Sequence, residues 1–280
     1  MTMQVELPGG TVEYQDVGTG PVVVLVHGAF MNATVWSGVV DKLKAHHRCV
    51  VPTLPMGGHR IPMAPDADQS PTGVAALLGQ FLDALDLDDV TLVGNDTGGL
   101  LAQLLAAQNP RRMGRLVLAS CEAFENVPPG LPGRVSTLAG RLPGGMWSAA
   151  QAMRWSALRR LPLTWGWMAK HPLPPELFDS WFEPLRTSKG VRRDAARFMR
   201  TVDRDDLFSA VEKLRSFDRP TLIVWAAEDR VMPVDHARRL ADVLPKAEVA
   251  MVEDSYTLLP LDQPAQLAAL VAEFIGAPRR

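Results

Sequence analysis

The stretch Val90-Thr91-Leu92-Val93-Gly94-Asn95-Asp96-Thr97-Gly98-Gly99-Leu100 decides the fold of this chain. A run of β-formers ends in small residues and passes at once into a helix-forming run, Leu100 to Ala107. A strand that turns so sharply into a helix forces its central residue, Asp96, onto a strained tip. Glycines are needed around it, because a Cβ there would meet the neighbouring strand and helix. Asp is also a good helix N-cap, so the alternative is a plain acidic cap on a strand–helix turn.

Working outward, the neighbouring segments read as strands of one parallel sheet. Val22-Val23-Val24-Leu25-Val26 has no polar face, as in a strand covered by helices on both sides. Further strands are expected at Arg48–Val51, Arg115–Ser120, Thr221–Trp225 and Val249–Val252. Helical spacing is expected at Thr34–Ala45, after Ser70-Pro71, at Asp235–Val243 and from about Asp262 to Ile275. Val5 to Asp16 alternates loosely around Pro8-Gly9-Gly10, as an edge hairpin would. Strands alternating with helices imply an α/β fold with a mostly parallel sheet flanked by helices.

The composition changes near Asn126. From there to about Leu214 no buried strand is legible, prolines crowd together, and five of the seven tryptophans occur (Trp147, Trp155, Trp165, Trp167, Trp181). The expected organisation is a core from residues 1–125 and 215–280, with a helical cap inserted at 126–214. A cap there would lie over the carboxyl ends of the strands, the edge where open α/β sheets hold ligands.

With 280 residues, 47% hydrophobic and 21% charged, the chain can bury a sizeable core. A formal net charge of −2 without a basic block argues against nucleic-acid or anionic-membrane partners. No apolar run reaches the ~18 residues of a membrane span. Met1 to Leu7 carries Glu6 and lacks the apolar stretch of a signal peptide. Cys49 and Cys121 read as buried free thiols. The expectation is a cytoplasmic protein with no metal and no cofactor, acting on a small apolar molecule.

The chain resembles the α/β-hydrolase superfamily over nearly its whole length outside the insertion. The marks are His27-Gly28 after a strand, the Gly94 to Gly99 elbow, Glu228-Asp229 after the Trp225 strand, and Leu261-Asp262-Gln263-Pro264 opening the last helix. An elbow Asp followed by Gly-Gly is most similar to the haloalkane dehalogenase and epoxide hydrolase branch. The resemblance implies that Asp96 attacks an sp³ carbon, giving an ester, and that a carboxylate-held His then activates water. It implies that backbone N–H groups of Ala29 and Thr97 form an oxyanion hole. Asp229 matches the usual acid position and Glu122 falls near an alternative one. Pocket candidates are Phe30, Trp147, Trp167 and Tyr256.

The sequence departs from that branch at the base. Counting back from Pro264, the family's His falls on Thr257, whose hydroxyl takes up no proton near neutral pH. The residue after the elbow acid is Thr97, where dehalogenases place a halide-binding Trp. The only tyrosines are Tyr14 and Tyr256, neither in the cap, where epoxide hydrolases place acids for the ring oxygen. His59, in Met56-Gly57-Gly58-His59-Arg60, could supply an imidazole from another loop, or be structural. His27 reads as shaping the oxyanion loop, His46 and His47 as surface residues, His171 as cap loop and His236 as rim. Asp229 beside Asp96 could instead form a like-charge pair suited to proton transfer. Three functions remain open: hydrolysis with a displaced base, non-hydrolytic chemistry on the same fold, and silent ligand binding.

Overall fold

In the computed structural model, which describes residues 2–277, strand β5 occupies the centre of the sheet. Strands β1 (Thr2–Leu7), β2 (Gly10–Val17), β3 (Val22–Val26), β4 (Arg48–Thr53), β5 (Val90–Asp96), β6 (Met113–Cys121), β7 (Thr221–Ala226) and β8 (Ala247–Val252) form one sheet. Their order is β1–β2–β4–β3–β5–β6–β7–β8. The first hairpin is antiparallel and lies against β4, also antiparallel. All remaining pairings are parallel. The expected edge hairpin and parallel core are both present.

Burial follows position. All seven residues of β5 are buried, because helices cover both faces of the central strands. At the far edge, β8 buries only Val252 fully. The helix Thr97–Gln108 buries nearly its whole circumference, Gln103 included. The helix Pro71–Ala84 begins as its sequence implies: Gly73 N–H donates to the Ser70 hydroxyl at 3.0 Å, with Pro71 in the first turn. Its buried stripe is Val74, Leu77, Leu78, Phe81 and Leu82.

One helix expected as a single element is broken. The run from Thr34 divides into a tight turn at Ala33–Trp36 and a helix at Ser37–Leu43. Asn32 Oδ1 draws in both the Thr34 N–H at 3.0 Å and the Thr34 hydroxyl at 2.6 Å. The last helix, expected from about Asp262 to Ile275, is present as Pro264–Gly276 and is preceded by a short helical turn, Leu259–Asp262. Pro264 has no N–H and pushes Gln263 out of the helical region, to φ −134° and ψ 56°. His47, expected at the surface, is buried. Cys49 and Cys121 are buried and unpaired.

Between β6 and β7 the described residues form helices and turns and no strand. These helices span Gly130–Arg141, Gly145–Ala152, Ser156–Arg159, Pro175–Thr187, Lys189–Thr201 and Arg204–Leu214. A buried contact ties the helix Lys189–Thr201 to the loop after β4: Asp194 Oδ2 accepts from the Met63 backbone N–H at 2.9 Å and meets His59 Nε2 at 3.3 Å. No helix of the described residues is long and apolar enough to cross a membrane.

The β5 turn depends on close backbone approach. A Cβ on Gly98 would stand 2.1 Å from the carbonyl oxygen of Val26, which is fixed in β3. Backbone cannot yield as a flexible side chain does. Gly98→Ala is therefore expected to cost about 1–3 kcal/mol or more, as overpacking in a tight core does. A fall of several degrees in the thermal midpoint would be the readout.

Candidate active site

The candidate site forms where β5 ends. Asp96 sits at φ 55° and ψ −130°, a conformation costly for a residue with a Cβ. The helix that starts at Thr97 continues directly from it. The loop after β3 closes over the other side. A Cβ on Gly28 would lie 2.1 Å from Asp96 Oδ2, so only glycine admits the carboxyl there. Phe30, the next residue but one, also has positive φ, 64°, and its N–H donates to Met56 O at 2.9 Å.

This arrangement sets the electrostatics. Asp96 is 3% exposed. Burial raises its pKa, to about 7. The backbone N–H of Thr97 opposes the rise, the charge of Asp229 adds to it, and the Ala29 N–H and Thr97 hydroxyl oppose it. Glu122, just beyond β6, is 2% exposed, and burial followed by the charge of Asp96 raises it to about 8. The Thr97 hydroxyl donates to Glu122 Oε1 at 2.6 Å. Thus two buried carboxyls flank one hydroxyl.

Both carboxyls open on a cleft between the sheet and the helices that follow β6. Its walls are apolar, with Phe30, Trp165, Met168 and Phe198 among them, and Pro128, Pro129 and Pro132 at one side. Trp165 sets edge-on against Phe30 at 5.0 Å, and its indole N–H donates to Ala29 O at 3.2 Å. Among the described residues no Lys, Arg or His lines the cleft.

The expected acid–base positions behave as follows. Asp229 and Thr257 are together: the Thr257 hydroxyl donates to Asp229 Oδ1 at 2.6 Å. That oxygen also accepts from Val231 and Met232 N–H groups at 3.0 and 2.9 Å. Burial raises the Asp229 pKa, against these hydrogen bonds. Asp229 Oδ2 is buried without a hydrogen bond of standard geometry, although the Ser120 hydroxyl lies near the carboxylate. Thr257 is fully buried, and its carbonyl accepts from Asn95 Nδ2 at 2.8 Å. Neither Asp229 nor Thr257 lines the cleft.

His59 does not face Asp96. Its Nε2 meets Asp194, and its Nδ1 accepts from the Gly57 N–H at 3.3 Å, so both ring nitrogens are engaged away from the cleft. Burial together with hydrogen bonds decides Asp194. Desolvation works to raise its pKa, but bonds from His59, Met63 and Arg193 outweigh it and hold it low. His27 shapes the loop as expected. Its Nε2 accepts from Leu54 N–H at 2.9 Å, leaving Nδ1–H for Gly28 O at 2.8 Å. Burial lowers it to about 4, so it is neutral at ordinary pH.

The pocket expectations need correction. Phe30 lines the cleft, but Trp147 is 47% exposed on a separate surface groove. Trp167 and Tyr256 sandwich the Arg230 guanidinium, at 4.5 and 4.0 Å, outside the cleft. Trp165 and Met168 take the inner positions instead. Nothing in Trp165-Gly166-Trp167 tells which indole turns inward, since both flank one glycine in a short helical turn.

Residues 21–264 match the family described as the alpha/beta hydrolase fold. The chain belongs to that family. It is 30% identical over 288 residues to an uncharacterized protein of Mycobacterium tuberculosis, covering 94% of this chain and 77% of that one. It is 27% identical over 299 residues to a 2-hydroxy-6-oxo-2,4-heptadienoate hydrolase of Pseudomonas putida, covering 97% and 95% of the two chains. An ancestral haloalkane dehalogenase superposes with a TM-score of 0.77 at 22% identity, covering 98% of this chain and all (100%) of that one, which shows a shared fold.

Two outcomes follow from these charges and contacts. The folded chain keeps protons on Asp96 and Glu122 that the unfolded chain releases near pH ~4. Their contribution to stability is therefore present below that pH and is lost as pH rises through about 7 and 8. Glu122→Gln should raise the thermal midpoint at alkaline pH and leave it nearly unchanged at about pH 3, below the ordinary carboxyl range, the loss having come from ionisation. His59→Ala should lower the unfolding free energy by about 1–3 kcal/mol in denaturant titration, because it removes one of three partners of a buried carboxylate.

Proposed function

We propose that this protein is an enzyme acting on a small to medium apolar organic molecule, with Asp96 as the reacting carboxylate. The supporting observation is its placement. Asp96 is held at a strained turn with Thr97 and Ala29 N–H groups against its carboxyl, at the floor of an apolar cleft. In this reading β5 and its turn are a nucleophile elbow, and the helices between β6 and β7 are a cap that keeps water out. The Ala29 and Thr97 N–H groups are the oxyanion hole. One oxygen of Asp96 stays with those donors while the other attacks an electrophilic carbon of an ester, epoxide or haloalkane, forming a covalent ester or anhydride.

Hydrolysing that intermediate needs a base. Asp229 keeps its usual place, but its partner is the Thr257 hydroxyl, which orients without accepting a proton at neutral pH. The absence of an imidazole among the cleft-lining residues favours a second reading, in which Asp96 moves a proton in an elimination or rearrangement. A carboxyl titrating near neutrality suits that work.

Incubation with panels of haloalkanes, epoxides and activated esters separates these readings. The first predicts a mass increase of one substrate fragment on Asp96, missing in Asp96→Asn, and oxygen from labelled water in the product. Product without labelled oxygen selects the second. Equal substrate consumption by wild type and Asp96→Asn would sink both.

A further inference from the structure

Glu122 has a second relation to Asp96 besides nearness. The Thr97 hydroxyl, which donates to Glu122, also lies against the Asp96 carboxyl. A hydroxyl has one hydrogen to give. If Glu122 receives it, Asp96 can bond the same oxygen only by bringing a proton of its own. If Asp96 receives it, Glu122 must bring one. The chain Asp96–Thr97–Glu122 is therefore fully bonded when the pair holds a single proton, and no cleft-lining cation replaces that proton. Glu122 is also mechanically tied to the turn. Its carbonyl accepts from Gln103 Nε2 at 2.8 Å, and Gln103 is buried on the helix that begins at Thr97.

We propose that Glu122 is the acid–base partner of Asp96, performing from the end of β6 the proton transfers for which Thr257 is unsuited. The proposal rests on the reading of Asp96 as the reacting carboxylate. In the starting state Asp96 is charged and Glu122 protonated. With an epoxide, an Asp96 oxygen bonds to a ring carbon as the ring C–O bond breaks, and the ring oxygen takes the proton of Glu122. The enzyme then carries a hydroxyalkyl ester and an ionised Glu122. Esterification removes the Asp96 charge, which after burial is the second cause of the raised Glu122 pKa, and so favours the ionised form in the next step.

Water then attacks the ester carbonyl carbon and gives its proton to Glu122, while the oxyanion meets the Ala29 and Thr97 N–H groups. Collapse breaks the bond to the alcohol oxygen, which takes that proton and leaves as the diol. Asp96 is left as a carboxylic acid. Its proton passes along the Thr97 hydroxyl to Glu122, restoring the start. The sum is epoxide plus water to diol. An alkyl bromide needs no acid in the first step, since bromide leaves as an anion; the proton on Glu122 is then released to bulk water along with the bromide, so that Glu122 is ionised when it serves as base in the second step. Other titratable groups near the pair are Asp229 and the Cys121 thiol, the latter kept protonated by burial.

The test uses a terminal alkyl epoxide and the matching 1-bromoalkane with wild type, Glu122→Gln, Glu122→Asp and Asp96→Asn. Glu122→Gln should lose about 100-fold or more in kcat/KM on the epoxide, the range of a lost acid–base group. On the bromoalkane it should accumulate one alkyl group on Asp96 that wild type clears. Glu122→Asp should recover part of the loss, and Asp96→Asn should take up no alkyl group. A Glu122→Gln enzyme as active as wild type on both probes overturns the proposal. If wild type reacts with neither probe, the Asp96 reading falls instead. Carbon-13 NMR titration of the carboxyl groups then decides the proton sharing separately. It should find one proton on the pair near neutral pH and a lower-titrating Asp96 in Glu122→Gln. Two ionised carboxylates at about pH 6, well above the ordinary carboxyl range, overturn it.

Discussion

A carboxyl group buried at the end of β5 stays there because backbone N–H groups of Thr97 and Ala29 meet it. Burial of a carboxylate without such donors would cost several kcal/mol. Supplying them constrains everything nearby. Thr97 must begin a helix directly, so Asp96 takes a positive φ. Ala29 must approach from the loop after β3, so Gly28 can carry no side chain. Gly98 must let the helix rest against Val26. The central sheet holds these three segments in register, since β5 pairs with β3 from Thr91 to Gly94.

The same constraint explains the charge state of the cleft. Two N–H groups and a hydroxyl offset part of the desolvation of Asp96 but not all, and its pKa remains raised. Glu122 brings a second buried carboxyl without a cation among the cleft-lining residues. Ionising both would place like charges on either side of one hydroxyl. An imidazole between Asp229 and Asp96 would relieve this by carrying positive charge. Thr257 cannot, and it turns its hydroxyl to Asp229. The site is thus organised around protons held on carboxyls, in contrast to the arrangement that the family resemblance implies.

The helices between β6 and β7 contribute walls more than charge. Trp165, Met168 and Phe198 face the cleft, while Arg193 bonds Met63 O and Arg159 is buried against Met153 O and Asp179. His59 belongs to that second contact. It is spent on Asp194, joining the loop after β4 to the helix Lys189–Thr201. This buried hydrogen bond ties that helix to the loop after β4.

The sequence by itself determined the alternation of strands and helices, the strand-free segment after β6 and the turn at Asp96, while the pairing of Asp229 with position 257 came from the family resemblance. These are local in origin: periodicity, glycine placement and the offset from Pro264 are readable over a few residues. Only the tertiary structure decided which side chains share the cleft. His59 left the site because Asp194, 135 residues away, engages it. Trp165 entered it and Trp167 did not, because Arg230 takes Trp167 and Tyr256 as stacking partners. Glu122 joined Asp96 through the Thr97 hydroxyl, a contact between the end of β6 and the start of the helix that follows β5. Such choices depend on distances between segments far apart in the chain, and sequence spacing carries no measure of them.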